Sequence, residues 1–191
     1  VLRTNSLRHR NVVTSSSPIF CAIDTPDLDK AEALAKTLRG HVHGLKLGME
    51  FFMAHGVAGY NRIAALGLPI FLDLKLHDIP NTVAGGITSL LPLNPAFMTI
   101  HTSGGGTMMR AAADAAAKAG TTRPKILGVT VLTSMDSADL TAVGQNHNTT
   151  EHVVRLATLA QSSGLDGVIC SPEEIAPLRA ELAVSYTHLT L

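Results

Sequence analysis

Apolar residues along this chain gather in short runs, separated by stretches with a helical period. The runs are "PIFCAID" (18–24), "GLKLG" (44–48), "PIFLDLKL" (69–76), "AFMTIHTS" (96–103), "KILGVTVLT" (125–133) and "GVICS" (167–171). Runs this short and this uniformly apolar predict strands buried on both faces, as in a parallel sheet. Between them, "DLDKAEALAKTLRG" puts Leu28, Ala31, Leu34, Ala35 and Leu38 on one helical stripe and stops at Gly40. "TMMRAAADAAAKAG" predicts a helix ending at Gly120, and "TTEHVVRLATLAQSSG" one that opens on a threonine cap and ends at Gly164. In "SPEE", Ser171 is a cap, Pro172 takes the first helical position and Glu174 completes a capping box.

Strand and helix therefore alternate, which predicts βα units with right-handed crossovers. Two architectures accommodate them, an open doubly wound sheet and a (β/α)8 TIM barrel. An open sheet that binds a dinucleotide carries GxGxxG after its first strand, whereas here "DTPDLDK" follows with no glycine. Polar or ionisable residues close almost every strand: Asp24, Lys46, Asp73 with Lys75, His101, Thr133 and Ser171. Barrel active sites are built from residues at those strand ends, so the expected fold is the barrel. A full barrel takes eight strands and roughly 250 residues. After residue 183 only "SYTHLTL" and its preceding valine remain of the 191 residues, and they carry no βα pattern. The expectation is an incomplete barrel over 18–183 with about six of its eight βα units. Residues 1–17 are expected to be a disordered or non-native leader, and 184–191 a non-native tail.

The segment "FLDLKLHDIPN" (71–81) splits by a period of two. Leu72, Leu74 and Leu76 share one face, while Phe71, Asp73, Lys75 and His77 share the other. In a solvent-facing antiparallel strand the charges would face water. In a barrel the leucines would pack on helices and the charges would line the site. Burying an unpaired charge costs several kcal/mol, so Asp73 and Lys75 must have partners. Lys46 ends the neighbouring strand and Asp78 opens the following loop, which predicts an alternating array of Lys46, Asp73, Lys75 and Asp78. A lysine ammonium beside a carboxylate, closed off from water, suits proton delivery to a developing carbanion.

Composition narrows the choice further. The chain is 46% hydrophobic, enough for a sizeable core. A net charge of +0 gives no electrostatic reason to expect nucleic acid or an anionic membrane as partner. No apolar run reaches the roughly 18 residues of a membrane helix. The two cysteines, Cys21 and Cys170, lie in apolar runs and read as free thiols in a reducing cytoplasm. His41 and His43 in "GHVHG" lack a third ligand nearby and read as a surface loop, not a metal site. "SGGG" (103–106) reads as a tight βα turn, Met108 and Met109 as core or helix surface, and the "DSADL" acids as a solvated helix start.

"LDLKLHDIPNTV" resembles the signature of the orotidine 5'-phosphate decarboxylase family, bacterial type. The likeness continues in "AIDTPDLDKAEALAKTL", "LKLGMEFF", "MTIHTSGG", "VTVLTSM" and "GLDGVICSPEE", in register from about residue 18 to 183. It implies decarboxylation of orotidine 5'-phosphate to UMP in pyrimidine synthesis, without cofactor or metal. Lys75 would donate the proton to C6 of the pyrimidine, and Asp73 would lie beside the departing carboxylate. Lys46 would bond the ribose and hold Asp73, and Asp24 would accept a ribose hydroxyl. Asp78 and Thr82 would reach into the neighbouring subunit's site, making a homodimer the functional unit. Thr133 would line the site, and His101 would face it as a structural or hydrogen-bonding group.

The family grips phosphate with backbone amides and an arginine from the loops after its seventh and eighth strands, and closes a glutamine-bearing loop over the base. These segments are not matched here, so the expectation is a catalytic array without its phosphate grip, of low activity and stability. An inactive fragment is one rival reading. Another is a magnesium-dependent sugar-phosphate decarboxylase of the same superfamily, which shares the Asp-x-Lys-x-x-Asp core but departs from "IPNT".

Overall fold

A computed structural model describes residues 18–145, 148–182 and 187–190. The expectations for residues 1–17 and 184–186 lie outside these. Each of the six apolar runs contains a strand: β1 (Phe20–Ala22), β2 (Gly44–Gly48), β3 (Ile70–Leu76), β4 (Phe97–His101), β5 (Lys125–Val129) and β6 (Gly167–Cys170). Helices alternate with them: α1 (Leu28–Leu38), α2 (Met49–Ala64), α3 (Pro80–Leu90), α4 (Gly105–Ala117), α5 (Ser137–Ala142), α6 (Thr149–Ser162) and α7 (Ile175–Glu181). A seventh strand, β7 (Thr187–Thr190), closes the order β1-β2-β3-β4-β5-β6-β7. Every strand pairs in parallel with its sequence neighbour. This is the curled sheet of a (β/α)8 barrel that has not closed on itself.

The seventh strand corrects the expectation that residues 184–191 hold no strand. Residues 187–190 pair in register with the whole of β6, from Gly167↔Thr187 to Cys170↔Thr190. The physical reason lies in β6, whose outer N–H and C=O groups template an extended neighbour. Threonine is also a good strand former. The free edges among the described residues are thus β1 and β7.

The period-two split of β3 has its counterpart in two cores. Leu72 and Leu74 pack with Ile100, Ile126 and Val168 against the helices, in the large outer core. Phe71 joins Leu127, Val129 and Ile169 in a smaller cluster inside the sheet's curl. Phe20 and Phe97 pack against that cluster, with ring centroids 5.2 Å apart and edge to face. The inner cluster runs up the curl to Val129 and Ile169, which line the cavity beside Lys75.

Three local expectations are revised. Leu34 is 40% exposed, while Ala31 and Ala35 are fully buried, so α1 approaches the sheet along its small residues. The cap of α6 is Asn148, whose side chain accepts from the Glu151 amide at 2.9 Å, in place of the expected threonine. β5 ends at Val129, four residues early, because the chain turns there. The Thr130 hydroxyl then donates to the Ile169 carbonyl. By contrast, Met108 and Met109 are fully buried core, and His41 and His43 are exposed. The "SPEE" turn begins as a short tight helical turn at 172–174, with the Ser171 amide donating to the Glu174 carboxylate at 2.8 Å.

Candidate active site at the C-terminal strand ends

Asp73 lies inside the curl and is 1% exposed. Its two carboxylate oxygens have separate tasks. Oδ2 accepts from Lys75 Nζ at 2.8 Å and faces Lys46 Nζ at 3.5 Å. Oδ1 accepts from the Thr99 hydroxyl at 2.8 Å. Lys46 also lies 3.9 Å from Asp24 Oδ1 at the end of the first unit. The order within one chain is therefore Asp24, Lys46, Asp73, Lys75. Asp78, expected to serve the neighbouring subunit's site, stands outside this cluster in its own chain. Asp78 is exposed, and its Oδ1 accepts from the amide of Ile79. The chain starts α3 at Pro80, two residues after Asp78.

Lys75 reaches Asp73 from an uncommon backbone position. Its φ is +51°, in the left-handed region that a side-chain-bearing residue rarely adopts. Between the pairs Leu72↔Met98 and Leu76↔Ile100, β3 advances four residues while β4 advances two. An even excess keeps Leu76 on the outer face, so the alternation survives the irregularity. At the irregularity the Lys75 amide donates to Thr99 Oγ1 at 2.9 Å.

A cavity of about 210 Å³ opens beside Lys75, lined also by Val129, Val131, Thr133, Ile169 and Cys170. Thr133 thus meets Lys75 across it. Two larger hollows, of about 450 and 480 Å³, lie between α4 and α6 and at the N-terminal end of the strands, and neither touches Asp73, Lys75 or Lys46. Size is a poorer guide here than chemistry, since of these three the smallest is the one that meets Lys75. Burial pushes the Cys170 thiol up to about 11, with Glu174 adding to the effect, so it stays protonated and is no nucleophile.

His101 ends β4, half-buried, with its ring 5.4 Å from that of His77. Burial lowers its pKa below the ordinary histidine value, and the nearby His77 and Lys75 push the same way against Asp73. His101 therefore favours the neutral form beside the lysine. Thr82 is exposed on the first turn of α3, its amide donating to the Ile79 carbonyl. Among the described residues, no group of three or more His, Cys, Asp or Glu side chains is arranged to hold a metal ion. Cys21 and Cys170 are unpaired.

The sequence reading missed Thr99, which touches both Asp73 and Lys75 and is 1% exposed. The signal was available, since Thr99 is two residues before His101 and shares its face of β4.

Residues 17–190 match the sequence profile of the orotidine 5'-phosphate decarboxylase / HUMPS family. The chain belongs to this family. It is 53% identical over 163 residues to the orotidine 5'-phosphate decarboxylase of Novosphingobium aromaticivorans, covering 85% of this chain and 71% of that one. It is 52% identical over 164 residues to the enzyme of the same name from Sphingopyxis alaskensis, covering 86% and 71%. Among solved structures, orotidine 5'-phosphate decarboxylase from Lactobacillus acidophilus superposes with a TM-score of 0.80 at 34% identity, over 91% of this chain and 80% of that one. An uncharacterized conserved protein from Geobacillus kaustophilus superposes with a TM-score of 0.86 at the same identity, over 91% and 83%. No helix among the described residues is long and apolar enough to cross a membrane.

Proposed function

We propose that this chain decarboxylates orotidine 5'-phosphate to UMP, with Lys75 as the proton donor. The observation that carries the reading is a single buried carboxylate, Asp73, set between two lysine ammoniums beside a small cavity. The C6–carboxylate bond breaks, carbon dioxide leaves, and the electron pair stays on C6. Lys75 Nζ then delivers a proton to that pair. Asp73 lies beside the departing carboxylate and disfavours the bound substrate relative to the carbanion-like transition state. The two ammoniums stabilise charge as it develops. Lys46 bonds the ribose and holds Asp73, and Asp24 accepts a ribose hydroxyl. Thr133 lines the base pocket, and His101 serves as a neutral hydrogen-bonding group. The reaction in this reading needs no cofactor or metal.

The functional unit is a homodimer in which Asp78 and Thr82 serve the partner's site. The exposure of Asp78 on the loop after β3 and of Thr82 on the first turn of α3 supports that arrangement. The unpaired cysteines support a cytoplasmic setting.

The test is Lys75→Ala. Turnover should fall by about 10²- to 10⁴-fold, the usual contribution of a positioned general acid, while UMP affinity stays within about threefold. Turnover within tenfold of the parent removes Lys75 from the role. Subunit sharing is tested by mixing Lys75→Ala with Asp78→Ala, each inactive alone. Shared sites regain about one competent site in two heterodimer sites, and no regain after confirmed subunit exchange removes the sharing.

A further inference from the structure

We propose that Thr99 is a positioning residue of this site: its hydroxyl holds the Lys75 backbone in the left-handed conformation and fixes the rotation of the Asp73 carboxylate. The inference rests on the decarboxylase reading for its kinetic consequences, and on geometry alone for its structural ones.

Three threonines are buried among the described residues, Thr99, Thr102 and Thr130. Thr102 and Thr130 donate to main-chain carbonyls, of Val129 and Ile169, which is the ordinary way for a strand-end hydroxyl to satisfy itself. Thr99 differs. Its hydroxyl accepts the Lys75 amide at 2.9 Å and donates to Asp73 Oδ1 at 2.8 Å. One side chain thus uses both donor and acceptor capacity on the two residues that would do the chemistry.

Lys75 and Asn94 are the described non-glycine residues with positive φ. Asparagine tolerates that conformation through its short polar side chain, but lysine has no such compensation. Something around Lys75 must hold it there. At the register change between β3 and β4, the Lys75 amide is carried by Thr99 Oγ1. The same hydroxyl ties down Oδ1, so that the other oxygen of Asp73 faces Lys75 and Lys46 together. A substrate carboxylate arriving beside Asp73 would push that group to rotate away. The bond from Thr99 resists the rotation, and so keeps the repulsion in place until carbon dioxide leaves. An effect of that kind belongs to the transition state and not to ground-state affinity.

Thr99→Val keeps the shape and removes the hydroxyl, while Thr99→Ser keeps the hydroxyl. In the active parent, Thr99→Val should lower kcat by about 10- to 100-fold with KM within about threefold, and Thr99→Ser should return kcat to within about threefold. In crystals of Thr99→Val, Lys75 should leave positive φ, or Lys75 Nζ should move out of hydrogen-bond reach of Asp73 Oδ2. A folded Thr99→Val with parental kcat, or with Lys75 and Asp73 unmoved, overturns the proposal. A parent without turnover defeats the decarboxylase reading, and the crystals alone then decide Thr99.

Discussion

His101 favours the neutral form where a free histidine would begin to charge, because burial disfavours its charged form and His77 and Lys75 repel a further positive charge. Its folded pKa lies below the ordinary 6.5, so on acidification the unfolded chain takes up a proton that the folded one refuses. Stability is therefore lost as pH falls below that value. Thermal unfolding should show a larger drop in Tm between pH 7 and pH 5 for the parent than for His101→Gln. Equal drops would mean that His101 does not carry the acid sensitivity. Asp24, Lys46, Asp73 and Lys75 were legible because alternation along strands assigns faces, and a charge on an inward face needs a partner. Asp78 was legible as a loop acid, and within its own chain it is exposed and caps the Ile79 amide. Sequence spacing cannot show how sharply a chain turns at a proline. Thr99 shares the inward face of His101, but one hydroxyl in an apolar strand looks like any strand-forming threonine.

Elements were legible where periodicity is strong and less so at their ends. All six expected strands formed, since a run apolar on both faces has few other places to go. Caps were harder, because Asn148 and Thr149 are both capping residues and backbone geometry chooses between them. Asn148→Ala should cost about 0.5–2 kcal/mol in urea unfolding. The kink in α2 was not foreseen. Gly56 sits there at φ 54° and ψ −148°, a combination that essentially glycine alone adopts. A Cβ at Gly56 would meet nothing within 4 Å. Gly56→Ala should therefore lose stability by backbone strain alone, about 1–3 kcal/mol in the same measurement. An alanine variant as stable as the parent would show that the kink relaxes freely.

For the whole molecule, the exposed surface carries the next expectations. Ile79 is 66% exposed between Asp78 and Pro80, on the loop proposed to enter the partner's site. Burying an isoleucine is worth about 1.5–3 kcal/mol, so Ile79→Asp should weaken dimerisation by roughly 10- to 100-fold, read by analytical ultracentrifugation. An unchanged dissociation constant would place the interface elsewhere. The sheet runs from β1 to β7 with both edges unpaired among the described residues. Appending the remaining part of the Novosphingobium relative should raise Tm and UMP affinity together, by giving those edges neighbours. The number of strands was legible to within one. β7 escaped notice because its pairing is imposed by the edge of β6 and not by an apolar pattern of its own.

The strands lie side by side in the order in which they are made. A chain leaving the ribosome can lay each new strand on the one before it, without waiting for a distant partner. Asp24, Lys46, Asp73, Lys75 and Thr99 all come from β1 to β4 and the turns beside them, so the charged cluster is present before β5 emerges. Nascent chains arrested after α4 should already protect β2 and β3 from protease. Synthesis of the second half then adds Val129, Val131, Ile169 and Cys170 as the wall of the cavity beside Lys75.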